Sequence, residues 1–320
     1  MSGTDGKDSA HLREAVLATV AWFDVFGYPL TLPEIGRYLP VGKHSGGASL
    51  SDIAAALDSS GIGCVDGHYS LEGGVGDVGL RQRRYRLAKR KLVRARRAAR
   101  VFGLLPSVRL VAVCNNLAVA NAEDGSDIDL FVVCRPRTLW TTRLVLVGAL
   151  KLFGLRPSPK IQKDKLCLSF WVSETEMDLS RYALPGGDPY MDYWIATLLP
   201  LYDAGGVFEK FRAVNGGRRD RRGKSIFQDD SSASAASFAS VPSVPSVPSA
   251  PTLSEGGRGR IEAIARIIQM RKFPERIRGM ANLDSRVVIS DDVLKFHVND
   301  RRAAYKEKFR ERLDALDRKA

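Results

Sequence analysis

Cysteine and histidine are both scarce, with four of each in 320 residues. Cys64, Cys114, Cys134 and Cys167 form no Cys-x-x-Cys pair, and His11, His44, His68 and His297 lie far apart. That spacing argues against a zinc site and against a small disulfide scaffold; three of the thiols sit in apolar, strand-like runs and are expected buried and reduced. Acid is short relative to base: 36 Asp plus Glu against 49 Lys plus Arg, a formal charge of +13. The surplus favours polyanionic partners such as nucleic acid or nucleotides without bearing on fold. No uninterrupted apolar run is long enough for a bilayer span, since Asp24 and Lys151 break the two longest. The opening Met-Ser-Gly-Thr-Asp-Gly-Lys-Asp-Ser-Ala carries no signal-peptide pattern. A cytoplasmic chain with no membrane partner is expected.

What is present has globular proportions: 44% apolar and 27% charged residues, enough chain for more than one domain. Residues 12–26 place Leu12, Val16, Val20 and Phe23 at helical spacing. Thr31-Leu-Pro-Glu34 has the form of a capping box with proline in the first turn. A third helix is expected through Ile53 and Leu57, then a hairpin over 64–71 turning at Asp66-Gly67. Three helices and a hairpin resemble a winged-helix module over 1–76. Its would-be recognition helix, 51–58, contains no Arg, Lys, Asn or Gln, so it is poorly equipped to read base edges or grip phosphates.

Residues 77–105 form a connecting helix that is basic almost throughout. Eleven cations between Arg81 and Arg100 leave a seam of Tyr85, Ala88, Leu92, Ala95, Ala99 and Phe102 to pack inward. The cations either cover a solvated face or form a phosphate-facing wall for an anionic acceptor or nucleic acid. Residues 216–258 are rich in Ser, Gly and Arg and repeat Val-Pro-Ser from Val241; a disordered linker is expected there. Residues 259–320 read as a helical C-terminal unit, with one helix at Ile261, Ile264 and Ile268. A second carries Tyr305, Phe309, Leu313 and Leu316 on one stripe, capped by Asn299 or Asp300.

The chemistry is concentrated in 108–133. Two β-rich runs flank a short helical turn, and the second run opens with Asp127-Ile-Asp129. Alternation along a strand puts both carboxylates on one face, one pleat apart. Two hard anionic ligands so placed suit Mg²⁺ (or Mn²⁺), with phosphate oxygens and water completing the octahedron. An Asp-x-Asp is also a common polar entry to a strand, and the pair alone would carry little weight.

This stretch resembles the core motif of the DNA polymerase beta-like nucleotidyltransferase superfamily: a strand ending in Gly-Ser, a short helix, then Ser-Asp-x-Asp-apolar on the next strand. Ser126-Asp127-Ile128-Asp129-Leu130 matches the second half, and Leu117-Ala118 stands where the helix begins. The likeness runs over 106–215 through a helix with Trp140 and Arg143, a strand at 166–172 and an amphipathic segment at 190–211. It implies an α+β fold with a small mixed sheet and binding of a nucleoside triphosphate. Asp127 and Asp129 would be catalytic and hold Mg²⁺, and Asn115, Asn116 and Ser126 would contact the nucleotide. Arg135, Arg137 or Arg143 would be a candidate triphosphate contact. It further implies transfer of a nucleoside monophosphate to a hydroxyl acceptor. Two positions depart from the pattern. Asn115-Asn116 replaces Gly-Ser, although asparagine tolerates left-handed backbone and can donate from its amide. The family's third carboxylate, which helps hold a second metal and activates the acceptor, has no counterpart inside 165–172; Asp164, Glu174 and Asp178 lie outside it. Loss of that base would weaken proton removal by about 10²–10⁴-fold. The other reading is therefore a non-catalytic nucleotide-sensing or partner-binding regulatory protein built on the same core.

Overall fold

The computed structural model describes residues 5–39, 48–71, 78–215 and 255–318. The expected linker lies almost wholly outside the described residues. The chain is mixed α+β, with eleven α-helices and two sheets among the described residues, none of the helices long and apolar enough to cross a membrane.

The N-terminal part comprises α1 (Asp5–Asp24), β1 (Leu30–Thr31), α2 (Leu32–Tyr38), α3 (Leu50–Asp58), β2 (Gly63–Val65) and β3 (His68–Ser70). Leu12, Val16, Val20 and Phe23 are buried as their spacing requires. Glu34 accepts from both the backbone N–H and the hydroxyl of Thr31, fixing the start of α2. Asp66 and Gly67 both have positive φ (48° and 72°), which is the primed turn that matches the twist of a two-residue hairpin. β3 pairs with β2 on one side and β1 on the other, making an antiparallel three-stranded sheet.

Helix α4 (Val78–Phe102) follows. Its buried face differs from the expected seam: Tyr85 is exposed, while Arg81 and Lys91 turn inward beside Ala88, Ala95, Ala99 and Phe102. These two cations are tolerated inside because each is met by acceptors. Arg81 pairs with Glu34 at 2.5 Å and lies over the Tyr28 ring. Lys91 donates to Asp164 at 3.0 Å and to the carbonyls of Ser126 and Asp124 at 2.6 and 3.3 Å. The seam is thus a splice between α4 and the loop leading to Asp127.

The second sheet is built from β4 (Val108–Val113), α5 (Asn115–Ala118), β5 (Ile128–Cys134), α6 (Leu139–Leu152), β6 (Leu166–Ser173), α7 (Pro189–Thr197), β7 (Leu199–Asp203), α8 (Val207–Asn215), α9 (Glu255–Lys272), α10 (Glu275–Met280), β8 (Val287–Ile289), β9 (Val293–Phe296) and α11 (Arg302–Asp317). Strand order is β7-β4-β5-β6-β9-β8, with β5 and β6 parallel across the α6 crossover and the other pairs antiparallel. One face carries Ile128, Leu130, Val132, Leu166, Leu168 and Trp171 against α4 and α6. The opposite face carries Phe131, Val133, Phe170 and Val172 against α7 and α8.

Four expectations are corrected here. Plain alternation along β6 would put Leu166, Leu168 and Phe170 on one face, but Asp129–Phe131 is matched by Cys167–Phe170. One extra residue on β6 is a β-bulge, and it moves Trp171 to the Leu168 face and Phe170 to the other. Residues 190–211 are not one segment: Pro200 and the positive-φ pair Gly205-Gly206 divide them into helix, strand and helix. The C-terminal region is not purely helical, since β9 and β8 extend the core sheet beyond β6, and α9 already begins at Glu255. Arg301, not Asn299 or Asp300, is the cap residue of α11, although Asp300 accepts from the Arg302 backbone N–H at 2.9 Å. Helix α11 returns to the N-terminal part, where Phe309 packs edge-on to Trp22, and Trp22 stacks on Tyr193 of α7 with ring centres 5.0 Å apart.

Candidate functional site

Asp127 directly precedes β5, and Asp129 is its second residue. Ile128 and Leu130 point into the core, so both carboxylates emerge on the face that α7 covers. The parallel register sets Cys167 of β6 beside Asp129. Ligand atoms of Asp127, Asp129 and Cys167 lie within 4.8 Å of one another, close enough to share one cation. The donor set is two hard carboxylate oxygens and one soft sulfur.

Asn115 locks this arrangement. Its backbone is left-handed (φ 58°), a conformation asparagine adopts more readily than most residues. Its Nδ2 donates to Asp129 Oδ2 at 2.8 Å. Its Oδ1 accepts from Tyr190 Oη at 3.1 Å and from Trp194 Nε1 at 3.0 Å. These two donors fix which end of the amide faces the carboxylate. Both belong to α7, whose N-cap Asp188 accepts from Met191 N–H at 3.0 Å. The carboxylate is therefore held through two layers of hydrogen bonds.

Burial raises the pKa of Asp129 to about 6; the nearby Asp127 adds to the rise, and donation from Asn115 and Cys167 opposes it. Asp127 is raised by burial too, and Cys167 is pushed well up by burial and then by the two carboxylates. The crowded charges make a site that a divalent cation would relieve. Without metal, the raised Asp129 works against the fold at neutral pH: its stabilising protonation is present below the unfolded value near 4 and lost as pH rises through about 6. Asp129→Asn should therefore raise stability by about 1–3 kcal/mol at pH 8, and the gain should largely vanish at pH 4. Thermal melts in chelator at the two pH values check this; a loss of stability at pH 8 would contradict the repulsion.

The other expected residues are placed as follows. Asn116 is exposed on α5, and its carbonyl accepts from Asn121 N–H at 2.8 Å. The Ser126 hydroxyl donates to the Glu123 carbonyl at 2.9 Å, closing the turn before Asp127. Arg135 and Arg137 are exposed past the far end of β5, about 20 Å along the strand from Asp129. Arg143 is buried on the opposite face of the sheet. Asp164 is held by Lys91 and Arg94, and Glu174 by Arg109. Asp178 accepts from the Ser180 backbone N–H at 2.8 Å.

So Asp127, Asp129 and Asn115 come together, while Asn116 and Ser126 flank them. Cys167, expected only as a buried, reduced thiol, and Tyr190 and Trp194, whose rings suggest core packing rather than a site, complete it. Cys167 was legible in principle, as the first residue on its face of β6; the bonds from Tyr190 and Trp194 to Asn115 span 75 and 79 residues and leave no local signal. Fold and site together define an α+β protein with a two-carboxylate, one-thiol cluster at a strand entry. Compared with known proteins, the chain matches no family model, no curated protein and no solved structure.

Proposed function

We propose that the protein binds a nucleoside triphosphate with Mg²⁺ or Mn²⁺ and transfers a nucleoside monophosphate to a hydroxyl acceptor, releasing pyrophosphate. The observation that carries this reading is the convergence of Asp127 and Asp129 at the entry of β5, with Asn115 bound to Asp129 from the β4–β5 turn. A divalent cation held there would neutralise phosphate charge and polarise the reacting phosphoryl group. Asp127 and Asp129 would supply its anionic ligands. Asn115 would orient Asp129, and Tyr190 and Trp194 would keep the Asn115 amide aimed at it. Asn116 and Ser126, on the approaches, are the nearest candidates to touch the nucleotide.

Helix α4 supports an anionic acceptor. Arg83, Arg86, Lys89, Arg90, Arg96, Arg97 and Arg100 are exposed and cluster on the side opposite the buried seam, on a helix with no acidic residue. Arg84 donates to Asn121 and Glu123 of the loop before Asp127, so the basic face starts beside the site. Polyanion binding by such a face falls steeply with salt. Helix α3, acidic and apolar, offers nothing comparable. The third ligand atom of the cluster is a thiol, Cys167, and not a carboxylate, which favours the second reading, a module that binds nucleotide without turning it over.

Calorimetric titration with ATP, GTP, CTP and UTP, each with Mg²⁺ or Mn²⁺, tests the common part of both. At least one nucleotide should bind only with metal, and Asp127→Asn should weaken it at least about tenfold by removing a charged ligand. Failure of all four on folded protein would remove the transferase and nucleotide-sensing readings and leave a partner-binding module on the same core.

A further inference from the structure

A second site lies at the edge of the sheet. β9 joins β6 only from Phe170 onward, so residues 166–169 are left without a neighbour strand on that side. A cavity of about 350 Å³ opens there between β6, α6, α9 and α10, the size range of small-molecule sites. Its walls are apolar, with Leu168, Phe273, Ile277 and Phe296 among them. Its charged lining is of one sign: Arg143, Lys151, Arg156 and Lys272, and no acidic residue.

Arg143 is the anomaly. It is 5% exposed, and its Nη1 donates to Gln269 Oε1 at 2.6 Å. Gln269 is fixed by its own donation to the Trp140 and Ala265 carbonyls. The guanidinium lies 4.8 and 5.1 Å from the ring centres of Phe296 and Phe273. Its Nε is buried with no hydrogen-bond partner, and no ion pair to it is formed among the described residues. Stacking on aromatic rings recovers part of the desolvation cost of a buried cation, and one neutral acceptor recovers a little more. Burial and the neighbouring Arg156 push its pKa down to about 9, which leaves it charged at neutral pH. Lys151 is likewise pushed down, by burial and then by Arg156, Lys272 and Arg143. Four cations therefore repel one another around an apolar cavity whose lining holds no carboxylate.

We propose that this cavity binds a small amphipathic anion, a phosphate or carboxylate head on an apolar body, with the head on Arg143 and Arg156 and the body against Phe273, Phe296 and Leu168. The head answers the unbalanced charge and the unpartnered Nε; the body answers the apolar walls. At the same end of α6, Leu152 and Phe153 are 81% and 72% exposed, an apolar surface over which a longer chain can continue. The cavity is lined by Leu166 and Leu168 on the sheet face opposite the carboxylates and, at the strand edge, reaches Cys167 of the metal cluster.

The test is calorimetry with decyl phosphate and decanoate below their micellar concentrations, beside decanol and inorganic phosphate as the two halves. At least one of the two amphiphiles should bind, and each half should bind at least about tenfold more weakly. Arg143→Met should weaken binding by about ten- to a hundredfold, the scale of a charge-assisted hydrogen bond. Because an uncompensated cation is removed, that variant should melt no lower than wild type without ligand. Arg143→Lys should retain part of the affinity. Should Arg143→Met fail to fold, Arg156→Gln at the rim should still weaken binding severalfold. No binding of either amphiphile to folded protein, equal binding of decanol, or unchanged affinity in the variants would overturn the proposal. So would capture by phosphatidic acid vesicles with no binding of the soluble amphiphiles.

Discussion

Replacing Cys167 by aspartate is expected to tighten Mg²⁺ binding by about ten- to a hundredfold and to weaken Zn²⁺ binding. Cys167 stands in register with Asp129 on the parallel neighbour strand, and its sulfur shares the cluster with both carboxylates. Mg²⁺ takes oxygen ligands in near-octahedral geometry and has little use for a thiol. Zn²⁺ accepts thiolate readily. An aspartate at 167 would give the hard ion a third oxygen from a fixed strand, so the ordering was already met in folding. The same change should destabilise the metal-free protein, because Asp127 and Asp129 are already raised by burial, and Asp129 further by the charge of Asp127. Added Mg²⁺ should then restore more stability to the variant than to wild type. Under the nucleotidyl-transfer reading, pyrophosphate release would rise as well, toward the 10²–10⁴-fold that a positioned base supplies. Titrations of both proteins with Mg²⁺ and Zn²⁺ check it. Unchanged preference would show that position 167 lies outside the coordination sphere.

Arg302→Met is expected to cost about 3–5 kcal/mol, the scale of breaking a buried ion pair by removing one partner. The guanidinium uses its whole fork. Nε and Nη2 meet Asp300, Nη1 donates to Asp188 and to the Tyr182 carbonyl at 2.7 Å each, and Nη2 donates to Ser285 Oγ at 2.7 Å. The Asp188 side chain is fully buried, so losing Arg302 leaves its charge with hydrogen bonds from the Leu184 and Met191 N–H groups and the more distant charge of Lys295. A fall in Tm of about 6–15 °C follows from that cost for a chain of this size. Adding Asp188→Asn to Arg302→Met should recover part of the loss, since the stranded charge is then gone. A drop below about 1 kcal/mol would mean the network is screened by water. The effect should also reach the metal cluster. Asp188 caps α7, and α7 carries the two donors that hold Asn115 on Asp129. Metal affinity in Arg302→Met should therefore fall along with stability, while a comparably destabilising change in the N-terminal three-helix part should leave it less affected.

Much of the fold was legible because its signals are local. Helices α1, α2, α3 and α4, the Asp66-Gly67 turn and the strands around Asp127 follow from spacing, caps and β-branched runs within a few residues of one another. Asp127 and Asp129 share a face for the same reason: the period of a strand is two. The expected role of Asn115 as a residue that tolerates a left-handed backbone likewise follows from its own chemistry.

What only the tertiary structure decided depends on contacts between distant segments. The bulge that reverses faces along β6 shows only in its pairing with β5, just before β9 joins on the other side. Arg81 and Lys91 turn inward because Glu34 and the carbonyls near Asp127 await them, at separations of 33 to 47 residues. Arg143 is read from sequence as one more arginine near a helix start; its burial without a counter-charge arises from Phe273 and Phe296, more than a hundred residues away. Local periodicity specifies which side of an element is apolar. Which charges are desolvated, and by what they are met, is settled only when elements far apart in the chain close over them.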